Sequence, residues 1–578
     1  MNKYYTTERN IQIVIALLKA HGIKKIVTSP GATDVSIVAS LQHDPFFELF
    51  SSIDERSAAY MACGMSAERG EPVALTCTGA TSSRNYMPGL TEAYYRNLPI
   101  LAITCCRSNA NVGHYVDQVT DRSNLPNDIA KVSVYCQSVN NDEDEWDVTV
   151  KANKAIIGLW KNGGGPCHIN LATKYSLDFS VKEISPVTVI RHYDSMSCLP
   201  EIPRGKIAVF VGAHNAWSEE LTEAVDNFCE VYNGIVLCDQ SSNYKGKYRI
   251  LFRLITDQYE EKAKDAEIDL LIHIGYVSSS RVKAKKVWRI NPDGEIRDTF
   301  RRLVAVFQMS ELSFFLEYTK RGTKVNNTFW EDYQCRYNDL LESIPELPFS
   351  NIWVSQQLAK RIPNNSVLHL GILNSLRSWN YFEIPSSVNS YCNTGGFGID
   401  GGVSSLIGAS MTNRDRLYFG IFGDLLFFYD MNSIGNRDIC PNVRILIVNN
   451  GLGQEFKNYT SAGFALEDET DKFIAAKGHF GNHSRKVIKA YSESLGFEYH
   501  SVESKKEFMT VFERFVTPEI LEKPMLLEVF TSTDDESEAY KLITTLSLKS
   551  KMMLKGKQIL SNTEMKSVEG TLKKLLRK

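Results

Sequence analysis

The chain has 578 residues, a length that allows three or four domains, each able to bury its own core. Its 65 basic and 68 acidic side chains leave a net charge of −3, with no basic surplus to mark a nucleic-acid or membrane-surface binder. Twelve cysteines without Cys-x-x-Cys spacing, two of them adjacent at Cys105 and Cys106, fit a reducing compartment rather than a disulfide framework.

In chain order, an amphipathic helix is expected over 8–20. Its apolar run is interrupted by Gln12 and is too short to span a membrane, and no signal-peptide cleavage pattern follows, so the expectation is a cytoplasmic protein. Short apolar runs at 26–28, 73–77, 100–104 and 168–171 then alternate with helical patterns at 35–42, 56–67, 83–96 and 147–160. That alternation predicts a parallel sheet. The acidic stretch 140–145 reads as a loop before the last of these helices, and 181–203, with three prolines and no period, as a linker. A second block has runs at 207–211, 235–238, 270–274 and 287–290 but no Gly-rich nucleotide fingerprint, so bound FAD is not expected. A second linker, 343–350, contains Pro345 and Pro348. The fold expected is α/β, with three doubly wound parallel-sheet domains at 1–180, 200–342 and 351–532. A charged tail at 533–578 reads as a solvated helix.

The third block carries the strongest motif. Gly423-Asp424-Leu425 precedes an apolar-periodic segment, 426–439, then a strand, 443–448, and Asn449-Asn450. In a parallel sheet, the acid and the amide then emerge at one carboxyl edge, where such sheets bind ligands. A carboxylate and an amide oxygen there suit a hard cation, Mg²⁺ or Ca²⁺, bridging to phosphate. The pattern resembles the diphosphate-binding motif of thiamine diphosphate enzymes, with Leu425 in place of its second glycine. In the first block, Asp54-Glu55-Arg56 opens a helix. Glu55 there either complements the helix dipole or acts as the carboxylic acid that thiamine diphosphate chemistry requires beside the pyrimidine ring nitrogen.

Further motifs extend the resemblance over both blocks: Ser29-Pro30-Gly31, Asp54 through Ala59, Asn85 with Pro88, Ile103-Thr104 with Arg107, and Gly165 through Leu171. Asn374-Ser375-Leu376, Gly398-Ile399-Asp400-Gly401, Tyr429-Asp430 with Asn432, and Gly453-Gln454 with Phe456 continue it. Together they are similar to the MenD family of thiamine diphosphate enzymes, in pyrimidine-binding, central and diphosphate-binding domain order. The resemblance implies thiamine diphosphate with Mg²⁺, Mn²⁺ or Ca²⁺. It makes Glu55 the cofactor-activating acid, and Asp424, Asn450 and the Leu452 carbonyl the metal ligands. Ile399 is the bulky residue beneath the bent cofactor. Thr81, Asn85, Ser375, Gly398, Gly423, Leu425 and Gln454 fall at other cofactor-binding positions. Arg107 and Gln118 face the reacting 2-oxoacid, as a carboxylate clamp and a neutral donor. It also implies a homodimer or homotetramer, in which Glu55 of one subunit faces the diphosphate site of another.

Three departures bear on the substrate. Where the family has Ser-Arg after Ser-Pro-Gly, this chain has Ala32-Thr33-Asp34. Where it has an arginine after Asn-Ser-Leu, alignment places Trp379, with Arg377 two residues off. Where it has Asn-Arg-Gly, this chain has Asn393-Thr394-Gly395. Thr or Trp cannot reproduce a bidentate arginine–carboxylate pair, so a less cationic acceptor pocket is expected. Ser280-Arg281 offers one replacement basic residue. No His-His pair accompanies His114, which favours carboligation over simple decarboxylation. The expectation is a carboligase joining a 2-oxoacid donor to a carbonyl-type or unsaturated acceptor, with no nucleic acid or membrane partner. A true MenD synthase, a non-ligating decarboxylase and a catalytically silent cofactor-binding protein are the alternatives. His479 and His483, at i, i+4, read as a chance spacing beside Gly478 and Gly481, and 454–481 as a cover over the site.

Overall fold

The computed structural model describes residues 4–547, apart from 196, 216, 259–260, 262–266 and 480–483, together with residue 552. His483 and the tail beyond Ser547, except residue 552, therefore lie outside the described residues. The chain divides into two compact units: Met1–Leu199 with Asp293–Gln308, and Pro200–Pro292 with Met309–Lys578.

In the first unit, six strands form one sheet: β1 (Lys25–Thr28), β2 (Glu48–Ser51), β3 (Val73–Thr78), β4 (Ile100–Cys106), β5 (Val132–Cys136) and β6 (Cys167–Ala172). Their spatial order is β2-β1-β3-β4-β6-β5, with every pairing parallel. The central strands β3, β4 and β6 are buried along their whole length, which is why they read as mostly apolar runs, with His168 and Asn170 buried inside β6. Edge strands β2 and β5 alternate or are half exposed, and no apolar run announces them. The helices are Arg9–Ala20, Val35–Gln42, Glu55–Arg69, Ala80–Asn85, Met87–Tyr95 and Asp142–Ile157. The last one corrects the loop expected over 140–145. Asn141 caps it by accepting from the N–H groups of Glu143 and Asp144, and Asp142 to Glu145 fill its first turn, where their charge complements the dipole. A further strand, β7 (Arg191–Tyr193), interrupts the expected linker.

The second unit begins with β8 (Ile207–Val211), β9 (Gly234–Cys238), β10 (Arg249–Leu251), β11 (Ile268–Ile274) and β12 (Ala284–Ile290), in the order β10-β9-β8-β11-β12. All of these pairings are parallel. The next strand, β13 (Leu303–Phe307), belongs to the first unit and runs parallel to β7. The second unit also holds a six-stranded sheet: β14 (Val367–Leu370), β15 (Asn389–Tyr391), β16 (Tyr418–Gly423), β17 (Val443–Asn449), β18 (Glu498–Val502) and β19 (Met525–Phe530). It is again wholly parallel, in the order β15-β14-β16-β17-β19-β18.

Numbered from its own first strand, this last sheet repeats the path of the first, 2-1-3-4-6-5. Loops after corresponding strands therefore reach the corresponding edge. Arg444 on β17 is 1% exposed and donates to the carbonyls of Phe515, Thr517 and Glu519, so one guanidinium fastens the turn after helix Lys505–Phe515 to the sheet. Among the described residues, no helix is long and apolar enough to cross a membrane.

Candidate active site

In the six-stranded sheet of the second unit, β16 and β17 are neighbours with Gly423 opposite Val448. Asp424, first residue of helix Asp424–Asp430, and Asn450, one past β17, therefore leave the sheet at one edge. Asp424 is 5% exposed, and its Oδ2 accepts the Gly451 N–H at 3.0 Å. The Oδ1 of Asn450 accepts the Leu452 N–H at 3.3 Å, which closes the same turn. The two asparagines differ in duty. Asn449 donates at 2.7 Å to the buried carboxylate of Glu528, which also takes the Tyr499 hydroxyl at 2.7 Å, so Asn449 belongs to the core.

Burial pushes Asp424 up to about 7, against the pull of the Leu425 and Gly451 amides. A cation bound beside such a buried carboxylate would favour its charged form. Carboxylate, amide oxygen and the backbone of Leu452 make a hard-oxygen donor set that fits Mg²⁺, Mn²⁺ or Ca²⁺. Among the described residues, no group of three or more His, Cys, Asp or Glu is placed to hold a metal ion by itself.

Beside this edge, Gly371, Asn393, Gly398 and Gly402 line a small recess. A Cβ on Gly402 would meet Leu426 at 2.9 Å and one on Gly371 would meet it at 3.1 Å, so the backbone itself forms the wall. Ile399 is half-buried and packs against the cluster containing Leu406 and Leu426. Leu373, with φ +70°, holds a conformation that favours glycine, at a cost of about 1–3 kcal/mol. It opens helix Asn374–Trp379, in which Ser375 is buried. Gln454 is buried as well: its Nε2 donates to the Thr533 carbonyl and the Ser537 hydroxyl, while its Oε1 has no partner. Next to it, Glu536 was not singled out from the sequence. It is buried, accepts from the Asn351 N–H and the Thr531 hydroxyl, and is pushed up to about 7 by burial.

In the first unit, Glu55 is the first residue of its helix, and Asp54 caps the helix through the N–H groups of Arg56 and Ser57. Asn85 donates to Glu55 Oε2 at 3.1 Å. Burial works to raise the Glu55 pKa, but hydrogen bonds from Asn85, its own backbone and Ser82 outweigh it and leave the carboxylate below its usual range. Ser82 is a contact that no sequence signal disclosed. Thr81 lies exposed on the short helix Ala80–Asn85. Arg107, one past β4, donates to Asp117 at 3.0 Å and to the Tyr175 hydroxyl at 3.2 Å. The Asp117 pair ties it to the loop that presents Gln118, exposed and at φ +57°. The structure thus gathers Glu55 with Asn85, Arg107 with the Gln118 loop, and Asp424 with Asn450 and Leu452.

The departing residues take unexpected places. Trp379 is 0% exposed and closes its helix inside the core, so it corrects the expectation that it lines an acceptor pocket. A large apolar ring at a helix end is better sheltered by packing than by a polar wall. Arg377 pairs with Glu455. Ser280 accepts from Arg253 at 3.2 Å, and Arg281 is exposed. Residues 478 and 479 lie outside any helix, consistent with the chance reading of His479. Thr33 donates to the Cys105 carbonyl at 2.6 Å, and Thr394 is buried.

Asp34 is 2% exposed, and burial pushes it up to about 7, with only its own N–H and a Thr76 hydroxyl opposing. A raised carboxylate pKa gives stability that is full below the unfolded value, near pH 4, and is lost as pH rises through about 7. Asp34→Asn is therefore expected to stabilise the protein at pH 8 by on the order of 2–4 kcal/mol and to be near neutral at pH 4. Urea unfolding at the two pH values checks this; an equal effect at both would contradict it.

Residues 10–125 match the family model described as thiamine pyrophosphate enzyme, N-terminal TPP binding domain. Over 574 residues the chain is 30% identical to the 2-succinyl-5-enolpyruvyl-6-hydroxy-3-cyclohexene-1-carboxylate synthase of Bacteroides thetaiotaomicron, covering 93% of this chain and 98% of that one. The synthase of the same name from Phocaeicola vulgatus is 30% identical over 573 residues, covering 92% and 97%. Among solved structures, the chain is similar to the thiamine diphosphate-dependent 4-hydroxybenzoylformate decarboxylase of Rhodococcus jostii RHA1. That similarity is 16% identity at a TM-score of 0.39, covering 91% of this chain and 100% of that one. The fold, the oxygen-donor edge and the two full-length relatives agree: the chain belongs to the thiamine diphosphate-dependent enzymes, in the branch of these cyclohexene-carboxylate synthases, and its cofactor is thiamine diphosphate with a divalent metal.

Proposed function

We propose that the protein is a carboligase that removes CO₂ from a 2-oxoacid donor and joins the remaining acyl unit to a carbonyl-type or unsaturated acceptor. Bound thiamine diphosphate supplies the electron sink for loss of CO₂. The chain's residues hold and protect that chemistry. Asp424, Asn450 and the Leu452 carbonyl hold the divalent ion, and the glycine-lined wall with Ile399 admits the cofactor body. Glu55, kept in place by Asn85, holds a proton at the pyrimidine ring nitrogen. Arg107 clamps the donor carboxylate, and Gln118 donates to the oxygen on which charge develops. The six-stranded sheet of the first unit serves as the pyrimidine-binding domain, β8–β12 as the core of the central domain, and the six-stranded sheet of the second unit as the diphosphate-binding domain. A homodimer or homotetramer is the proposed assembly. Exposed Ile53, Tyr60 and Met61 around Glu55 support it, since apolar surface beside a site asks to be covered.

The observation that carries this reading is the intact chemistry at both sheet edges, Glu55 held by Asn85 and Asp424 in the turn that Asn450 closes, beside Ala32-Thr33-Asp34 and Asn393-Thr394-Gly395 where the family has arginines. A screen of 2-oxoacids with and without aldehyde and ketone acceptors, read by CO₂ release and product mass, is expected to give a cofactor-dependent adduct. Aldehyde without adduct would instead mean a plain decarboxylase. The names of the Bacteroides and Phocaeicola relatives favour a second reading, synthesis of the cyclohexene-carboxylate itself. Full turnover of 2-oxoglutarate with isochorismate would establish it over the first.

A further inference from the structure

In the six-stranded sheet of the second unit, β16 lies between β14 and β17 and pairs with both. Helix Asn374–Trp379, which carries Arg377, follows β14. The turn Gln454–Lys457, which carries Glu455, follows β17. Asp424 stands at the β16 exit. The Arg377 guanidinium and the Glu455 carboxylate form an ion pair, which therefore joins the two segments that flank the exit bearing Asp424.

Both partners sit on anchored backbone. The helix of Arg377 is fixed by buried Ser378 and Trp379, and the Arg377 N–H donates to the Leu373 carbonyl at 2.9 Å. The turn of Glu455 is fastened at both ends. Gln454 Nε2 donates to the Ser537 hydroxyl at 3.0 Å, and that hydroxyl donates to the Lys457 carbonyl at 3.3 Å. The Arg377 and Glu455 side chains are 26% and 30% exposed, open enough for a ligand to reach and sheltered enough for their charge to count. A tethered carboxylate competes with any carboxylate arriving from solution, and repels it as well. The one further cation of these two segments, Lys457, is taken by Asp471 and by the Glu467 carbonyl at 2.8 Å. After β15, the neighbour of β14, Asn393-Thr394-Gly395 carries no charge. The other ionisable side chains placed here are acids: Asp424, and buried Glu536, which lines a small recess together with Arg377.

We propose that Glu455 is a specificity-determining residue: by holding Arg377 it closes this edge to carboxylates, so that the acceptor joined here is an uncharged aldehyde or ketone. This deepens the carboligase reading and rests on it. Selection comes from repulsion as much as from fit, because a carboxylate acceptor would have to displace Glu455 and then lie beside it. Removing the Glu455 charge frees the guanidinium and should turn the same edge into one that favours an anion.

The test compares 4-oxobutanoate with 4-oxobutanamide, aldehydes of one shape that differ in the carboxylate; neither is a 2-oxoacid, so neither serves as donor. Calorimetry on the full chain loaded with thiamine diphosphate and Mg²⁺, without donor, reads their binding apart from any reaction. The wild type is expected to bind the amide about tenfold or more tighter than the carboxylate. In Glu455→Gln the carboxylate should gain about tenfold, and the gain should be lost when Arg377→Gln is added. A wild type that binds the carboxylate as well as the amide, or binds neither, overturns the proposal. So does an unchanged preference in Glu455→Gln, or a gain that survives in the double variant. Adding a donor from the 2-oxoacid screen separates this inference from the reading beneath it. Adducts formed equally well from both aldehydes by the wild type would overturn this inference alone. CO₂ release with no adduct from any acceptor would overturn the carboligase reading, and this inference with it.

Discussion

Asp424→Asn is expected to lower turnover about a hundredfold or more, and to do so chiefly by weakening the divalent ion. The substitution keeps the shape and the Gly451 contact but removes the one carboxylate of the oxygen set. Changes to groups that merely orient a metal ligand already cost about 10–100-fold in affinity or activity, so loss of the charged ligand should cost at least as much. Titration with Mg²⁺ at saturating thiamine diphosphate would show the midpoint moving to higher concentration, with partial recovery at high Mg²⁺. Asn449→Ala serves as the contrast. It should loosen the fold around Glu528 and Tyr499 and leave the metal midpoint alone. Equal metal midpoints for wild type and Asp424→Asn would remove Asp424 from the site.

Glu55→Gln is expected to cut turnover about 10²–10⁴-fold while cofactor and metal affinity change only a few-fold. The amide occupies the same volume at the helix start and can still meet Asn85, so folding should be unaffected. What it cannot do is hold a proton in exchange with a ring nitrogen. Exchange of the cofactor's C2 proton, followed by NMR after rapid quench, isolates that step from substrate binding. A variant that exchanges and turns over like wild type would give Glu55 back to the helix dipole.

Much of the architecture was legible because buried parallel strands leave mostly apolar runs, as β3, β4 and β17 do. Edge strands β2 and β5 were silent, since half-exposed residues carry no such run. The acidic start of Asp142–Ile157 misled because four consecutive acids suit a loop as well as a helix N-terminus. Only the Asn141 cap decides between them. Asp424 and Asn450 could be placed from order alone, because chain order fixes which strand ends share an edge. Trp379 could not. Alignment shows which residue stands at a position, but whether it faces a cavity or the core depends on packing that spacing does not encode. Glu455 gave no signal either, being one acid in a loop until its pairing with Arg377 is known.

The repeated 2-1-3-4-6-5 path means that the chain visits the same two geometric stations twice with different furniture. After the third strand of each copy stands Gly79-Ala80 or Gly423-Asp424, and one step past the fourth stands Arg107 or Asn450. In the proposed function, one copy meets a cation there and the other an anion. If the copies descend from a common ancestor, specialisation needed little more than a new residue at each strand exit, with the framework left untouched. Evolving a new substrate range would then be a matter of loop-end substitution, and variants at 107 should be tolerated by the fold far better than variants at 106, buried inside β4.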